Sequence, residues 1–169
     1  MITLIRNGYV IDPATGTQGK YDVLIEDEVI KAVEQEINVE AQQVIDATGK
    51  FVMPGFIDLH VHLREPGFEY KETIKTGSMS AAAGGYTTIC PMPNTNPVID
   101  SEEMVEYLLT KAKEDSIVNI IPIGAVTIGQ MGKELADIKR MARAGALAIS
   151  EDGKSVMDVN LYLEDRKSV

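Results

Sequence analysis

The stretch Asp58-Leu59-His60-Val61-His62-Leu63-Arg64-Glu65-Pro66-Gly67 decides how this chain is read. It contains the only 2 histidines among 169 residues. An apolar run, Phe51-Val52-Met53-Pro54-Gly55-Phe56-Ile57, leads into it and reads as the approach to a strand. Side chains two apart in a strand point the same way. His60 and His62 therefore project together, at a spacing that lets two ring nitrogens close on one metal ion at about 2.0–2.1 Å each. Asp58 falls on the same face and is placed to orient a histidine from outside the ligand set. A bare His-x-His triplet also occurs on half-buried strands that hold no metal, so the flanking residues carry the decision.

Downstream of that stretch the chain has a regular rhythm. Strand Phe56–Leu59 is followed by a loop and a helix over about Lys71–Ala83, which Gly84-Gly85 stops. Strand Tyr86–Cys90 and a proline-rich loop come next. Asp100 or Ser101 can cap the following helix, which carries Met104, Val105, Leu108 and Leu109 on one face. Strand Asn119–Ile123, a loop with Gly124, Gly129 and Gly132, and a helix over Lys133–Ala144 follow. That helix presents Leu135, Ile138 and Met141, ends at Gly145, and leads into a fourth strand, Ala146–Ile149. Strands alternating with helices at this spacing predict βα units on a parallel sheet.

Upstream the pattern is different. Asn7-Gly8, Asp12-Pro13-Ala14-Thr15-Gly16 and Ala47-Thr48-Gly49 read as turns. Tyr21–Ile25 and Val29–Val33 read as a hairpin through Glu26-Asp27-Glu28. Short strands at this spacing predict a small β-sandwich. The expected organisation is a β-rich scaffold over residues 1–52 and four βα units over residues 53–169.

Composition narrows the function classes. Hydrophobic residues make up 44% and charged residues 25%, as in ordinary globular chains. The net charge of −10 argues against nucleic acid or an anionic membrane as a partner, and otherwise serves solubility. With 1 cysteine, Cys90, no internal disulfide can form, which suits a reducing cytoplasm. Cys90 sits in an apolar strand pattern and reads as a buried thiol rather than a nucleophile. No stretch reaches the roughly 18–20 apolar residues of a membrane span. The start, Met1–Arg6, is too short for a secretory apolar region.

Residues 58–67 resemble the first-strand metal motif of cyclic amidohydrolases, and the Leu63-Arg64-Glu65-Pro66-Gly67 continuation resembles the bacterial long-chain dihydroorotase family. Gly84-Gly85-Tyr86-Thr87-Thr88-Ile89-Cys90-Pro91-Met92-Pro93-Asn94-Thr95-Asn96-Pro97 is similar to that family's second barrel strand and substrate loop. Ser150-Glu151-Asp152-Gly153 is similar to its fourth-strand ligand site. The likeness runs to about residue 160.

The resemblance implies an α/β fold, a metal-dependent (β/α)8 barrel with a β-sandwich segment before it. Its active site lies at the C-terminal ends of the strands, where His60, His62, Asn94 and Asp152 all fall. Four strands are present, and a whole barrel of this type takes about 250 residues. The expectation is therefore the first half of an enzyme, with Tyr162–Val169 falling inside a helix.

The resemblance also assigns roles. His60 and His62 become ligands of a first zinc, and Asp152 a carboxylate bridging two zincs; read alone, Glu151-Asp152-Gly153 is a polar turn. The family uses the second member of that acidic pair. Some relatives in the superfamily use a carboxylated lysine instead, but Lys154, the one nearby candidate, lies beyond the strand end. Arg64 becomes the grip on a substrate carboxylate, since a planar guanidinium offers two parallel hydrogen bonds; otherwise it pairs with Glu65 or Glu69 on the surface. Asn94 becomes a second carboxylate contact, or else a turn asparagine, and His62 also lines the substrate site. The chain lacks a third histidine, so the second zinc site is incomplete, and the family's acid/base aspartate lies beyond Val169. No catalytic residue is therefore assigned within it.

The implied reaction is reversible hydrolysis of the cyclic amide of dihydroorotate to carbamoyl aspartate, in pyrimidine synthesis. The alternatives are a related cyclic amidohydrolase acting on another ring, such as allantoinase or hydantoinase, and a non-catalytic subunit that supports aspartate transcarbamoylase. Expected partners are the small-molecule substrate, and further copies of the chain or the missing half of the barrel.

Overall fold

The computed structural model describes residues 1–161 and 163, so the helix expected around Tyr162–Val169 lies outside the described residues but for Leu163. The chain divides into two compact units, Met1–Pro54 and Gly55–Val169.

In the first unit, β1 (Ile2–Asp12), β2 (Thr17–Glu26), β3 (Val29–Glu34) and β4 (Gln43–Asp46) form one sheet in the order β3-β2-β1-β4, and β5 (Phe51–Val52) also pairs with β1. The turn spacing predicted a sandwich; among the described residues the five strands hydrogen-bond as a single sheet. Asn7-Gly8 is not a turn. It is a bulge inside β1, where the register to β2 shifts between Ile5 and Gly8 and Asn7 takes φ 61°. The buried Asp22 carboxylate satisfies that bulge by accepting from the Asn7 N–H at 3.0 Å and from the Ile37 N–H at 3.1 Å. Leu4, Val10 and Val23 are buried, with Leu4 paired to Leu24 and Val23 to Ile5 on opposite faces of the sheet. The hairpin through Asp27-Glu28 forms as expected, with φ 47° and 69° at those two residues.

In the second unit every strand pair is parallel. β6 (Phe56–Val61) pairs with β7 (Tyr86–Pro91), and β7 with β8 (Asn119–Ile120). β9 (Ile123–Gly124) pairs with β10 (Ala148–Ile149). The expected third strand is thus split into β8 and β9. Pro122 lies in the break and has no N–H to donate, while Ile121 still donates to the Ile89 carbonyl at 3.0 Å.

The helices are α1 (Ile74–Ala83), α2 (Glu102–Asp115) and α3 (Ile138–Ala144). α1 starts later than the expected Lys71, because the Thr73 hydroxyl caps it by accepting from the Thr76 N–H at 3.1 Å. Ser101, rather than Asp100, caps α2. α3 is much shorter than Lys133–Ala144: Leu135 is held in a bridge to Thr127, and Asp137 caps the helix. Gly145, at φ 117°, closes it in the left-handed region that glycine accepts most easily.

Successive residues of β7 serve two layers. Ile89 packs with Leu63, Ile74, Leu108, Ala112 and Ile120. Cys90, on the opposite face, packs with Met92 and Ile123. A third cluster of Ile99, Val105, Ala136, Ile138 and Met141 joins α2 to α3. These layers join β6, β7 and β8 to α1 and α2, and β10 to α2 and α3, and the site lies at the C-terminal ends of β6, β7 and β10.

Candidate metal centre

Three of those ends carry the polar residues of the site. His60 lies in β6 and His62 just past it, Asn94 follows β7, and Asp152 follows β10. His60 Nε2 lies 3.1 Å from Asp152 Oδ1, and His62 Nδ1 lies 3.9 Å from Asp152 Oδ2. The two imidazole rings are 5.3 Å apart, edge to face. One ligand atom from each of His60, His62 and Asp152 falls within 4.8 Å of the others. Tetrahedral bonds of about 2.0–2.1 Å place two ligand atoms roughly 3.3 Å apart, close to the His60–Asp152 separation. Two imidazoles and a carboxylate are also a donor set suited to zinc. The Asp152 carboxylate is nearly buried, while the His60 ring is 59% exposed, so the site opens on the histidine side.

Asn94 connects the other two members. Its Nδ2 donates to Asp152 Oδ2 at 2.5 Å, and its Oδ1 lies 3.1 Å from His62 Nδ1. With the proton on Nδ1, His62 donates to Asn94 and keeps its Nε2 lone pair free. Asp58 does not orient either ring: its Oδ1 accepts from the His60 backbone N–H at 3.1 Å.

Arg64 is half-buried, with φ 61°, and makes no ion pair among the described residues; the surface pair with Glu65 or Glu69 is not formed. Glu65 turns inward instead, and its Oε2 accepts from the Ile74 N–H at 2.9 Å, at the start of α1. Glu69 accepts from the Gly67 N–H at 2.8 Å. The two site loops touch at Gly67, where an added Cβ would lie 2.1 Å from the Asn96 carbonyl oxygen. Lys154 Nζ donates to the Gln130 carbonyl at 3.1 Å. Sequence reasoning missed the inward roles of Glu65 and Glu151. Both carboxylates bind backbone N–H groups, which no side-chain pattern announces.

Residues 49–168 match the family model described as dihydro-orotase-like. The chain belongs to that family. It is 54% identical over 160 residues to a dihydroorotase of Caldicellulosiruptor saccharolyticus and 51% identical over 158 residues to one of Acetivibrio thermocellus. Each match covers 94% of this chain and 37% of the relative, so the chain spans little more than a third of the length of these relatives. Among solved structures it is similar to the L-hydantoinase (dihydropyrimidinase) of Arthrobacter aurescens, with a TM-score of 0.73 and 29% identity. That match covers 87% of this chain and 32% of the hydantoinase. The fold is therefore α/β, of the kind found in the cyclic amidohydrolases. Among the described residues no helix is long and apolar enough to cross a membrane.

Proposed function

We propose that this chain contributes the first four βα units of a dihydroorotase barrel, with the 1–52 segment as scaffold, and that His60, His62 and Asp152 hold zinc. The convergence of three metal-ligating side chains from β6 and the exit of β10 carries this reading. Bound zinc would lower the pKa of a water and polarise the amide carbonyl of the ring. Asp152, gripped by Asn94, presents both carboxylate oxygens toward the histidines. Arg64, which makes no ion pair among the described residues, is available for a substrate carboxylate through its two-pronged guanidinium. Asn94 and His62 would complete the substrate contacts. The reaction is reversible hydrolysis of dihydroorotate to carbamoyl aspartate, a step of pyrimidine synthesis in the cytoplasm. Further ligands for a second zinc and the acid/base come from beyond this sequence in that scheme.

A hydantoinase-type ring is the second reading, favoured by the likeness to the Arthrobacter aurescens enzyme. The higher identity to dihydroorotases and the carboxylate grip available at Arg64 favour the first. Equilibrium dialysis against zinc tests the centre. His60→Ala and His62→Ala should each remove most of the bound zinc, and unchanged zinc in both variants would refute the assignment. Assaying a complete homologue with dihydroorotate and with hydantoin rings separates the two substrates.

A further inference from the structure

Glu151 stands beside Asp152, and the metal reading makes no use of it. As part of Glu-Asp-Gly it looks like a solvated turn acid, yet it is only 9% exposed. Its Oε2 accepts from the Val126 N–H at 3.1 Å and the Thr127 N–H at 3.2 Å, and its Oε1 accepts from the Thr127 hydroxyl. Thr127 is fully buried, and its hydroxyl oxygen also accepts from the Gly132 N–H at 2.9 Å. Gln130, also buried, donates Nε2 to the Glu151 carbonyl at 3.1 Å. Main chain and side chain of Glu151 are therefore both tied to the loop that follows β9.

The neighbouring residues are fastened to the same region. The Ser150 N–H donates to the Gly124 carbonyl at 2.9 Å, and Lys154 Nζ to the Gln130 carbonyl at 3.1 Å. Asp152 lies between these anchors. Its side chain is turned to His60 and Asn94, and its own N–H donates to the Ser150 hydroxyl at 3.1 Å. Its main chain is thus held through its neighbours, while Asn94 holds its side chain directly. Among the described residues Glu151 has no cationic partner. A buried carboxylate answered only by N–H and O–H donors is costly to displace, so those donors fix its place closely.

We propose that Glu151 is a positioning residue that acts through Asp152. Its carboxylate clamps the exit of β10 to the loop after β9, and the clamp sets the angle at which Asp152 meets the metal. The inference rests on the reading of His60, His62 and Asp152 as ligands.

The test is a cobalt(II) titration of the chain, followed by visible absorption, for the native protein, Glu151→Gln, Asp152→Asn and the double variant. Glutamine keeps the size but turns one acceptor into a donor that faces other donors. Glu151→Gln should weaken cobalt binding by about tenfold, the lower end of the effect of outer partners on metal affinity, and should shift the cobalt bands. In the Asp152→Asn background it should cost nothing further, because both changes act on one ligand. Native-like binding in Glu151→Gln, or a loss that adds in full to that of Asp152→Asn, would overturn the proposal. If Glu151→Gln does not fold by circular dichroism, Thr127→Val removes one donor from the clamp. A smaller loss that vanishes with Asp152→Asn supports the clamp there, and native-like binding or a fully additive loss overturns it. Cobalt bound equally by the native chain and Asp152→Asn would instead sink the metal reading, and the clamp's role with it.

Discussion

The Asn94 side-chain amide donates to Asp152 Oδ2 at 2.5 Å across 58 positions of sequence. It thereby joins the loop after β7 to the exit of β10, while its oxygen faces His62 Nδ1 at 3.1 Å. One amide thus orients two of the three candidate ligands. Asn94→Ala should lower zinc affinity by about 10–100-fold, as removal of such partners does elsewhere, with a small change in melting temperature. Unaltered zinc affinity would show that the amide does not orient the ligands.

Much of this was readable because strands and ligands leave short-range marks. The two-residue spacing of His60 and His62, and the glycine and proline stops around each strand, are local signals. What sequence reading lost depended on distant partners. Asn7-Gly8 carries the signal of a turn but is absorbed as a bulge in β1, with the buried Asp22, far along the chain, accepting the Asn7 N–H. The apolar pattern of Lys133–Ala144 continues through Leu135, yet its pairing with Thr127 keeps that residue out of α3. Glu151 finds its donors 24 and 25 residues upstream, on main-chain atoms that any sequence would supply.

Arg64 holds a left-handed backbone at φ 61°, with its carbonyl accepting from the Phe68 N–H at 2.9 Å. A strained residue whose side chain has no ion pair among the described residues fits a ligand contact. In a complete enzyme carrying this segment, Arg64→Lys keeps the charge but loses the planar fork. Losing one charge-assisted bond of about 1.5–3 kcal/mol should raise KM roughly tenfold or more, with metal content unchanged. An unaltered KM would place Arg64 outside the substrate site.

Gly67 sits at φ 94° where the two site loops meet. Alanine there would be strained in backbone and would drive its Cβ into the Asn96 carbonyl at 2.1 Å. Gly67→Ala should destabilise the chain by more than about 1 kcal/mol and displace Arg64 and Asn94 together. Denaturant unfolding measures the first effect; a wild-type midpoint would show that the loops part freely.

Burial, with a lesser contribution from the charge of Asp58, holds the Cys90 thiol above its ordinary value. The folded form therefore favours the neutral thiol. The resulting stability is present below the unfolded pKa of about 8.5 and is lost as pH rises through the folded value. Native protein at pH 8 should resist iodoacetamide, with Cys90 only 1% exposed, and should react quickly once unfolded. Rapid labelling of the folded chain would contradict the packing of Cys90 against Met92 and Ile123.

The last expectation concerns the open side of the parallel sheet. β6 ends the order β6-β7-β8, so one of its edges has no strand partner among the described residues. Its Ile57 and Leu59 are 60% and 69% exposed, and Leu147, next to β10, is 70% exposed. An unpaired apolar edge is a template for pairing with another chain. At about 25 cal/mol per Å², a few hundred Å² of apolar surface left in water costs several kcal/mol. That rivals a domain's whole net stability of about 5–15 kcal/mol. The isolated chain should therefore self-associate, or pair with a separately supplied remainder of a dihydroorotase barrel, and the second should win when both are offered. Size-exclusion chromatography with light scattering, alone and with that remainder, reads both outcomes. A compact monomer that melts cooperatively at micromolar concentration and ignores the remainder would show that this edge needs no partner.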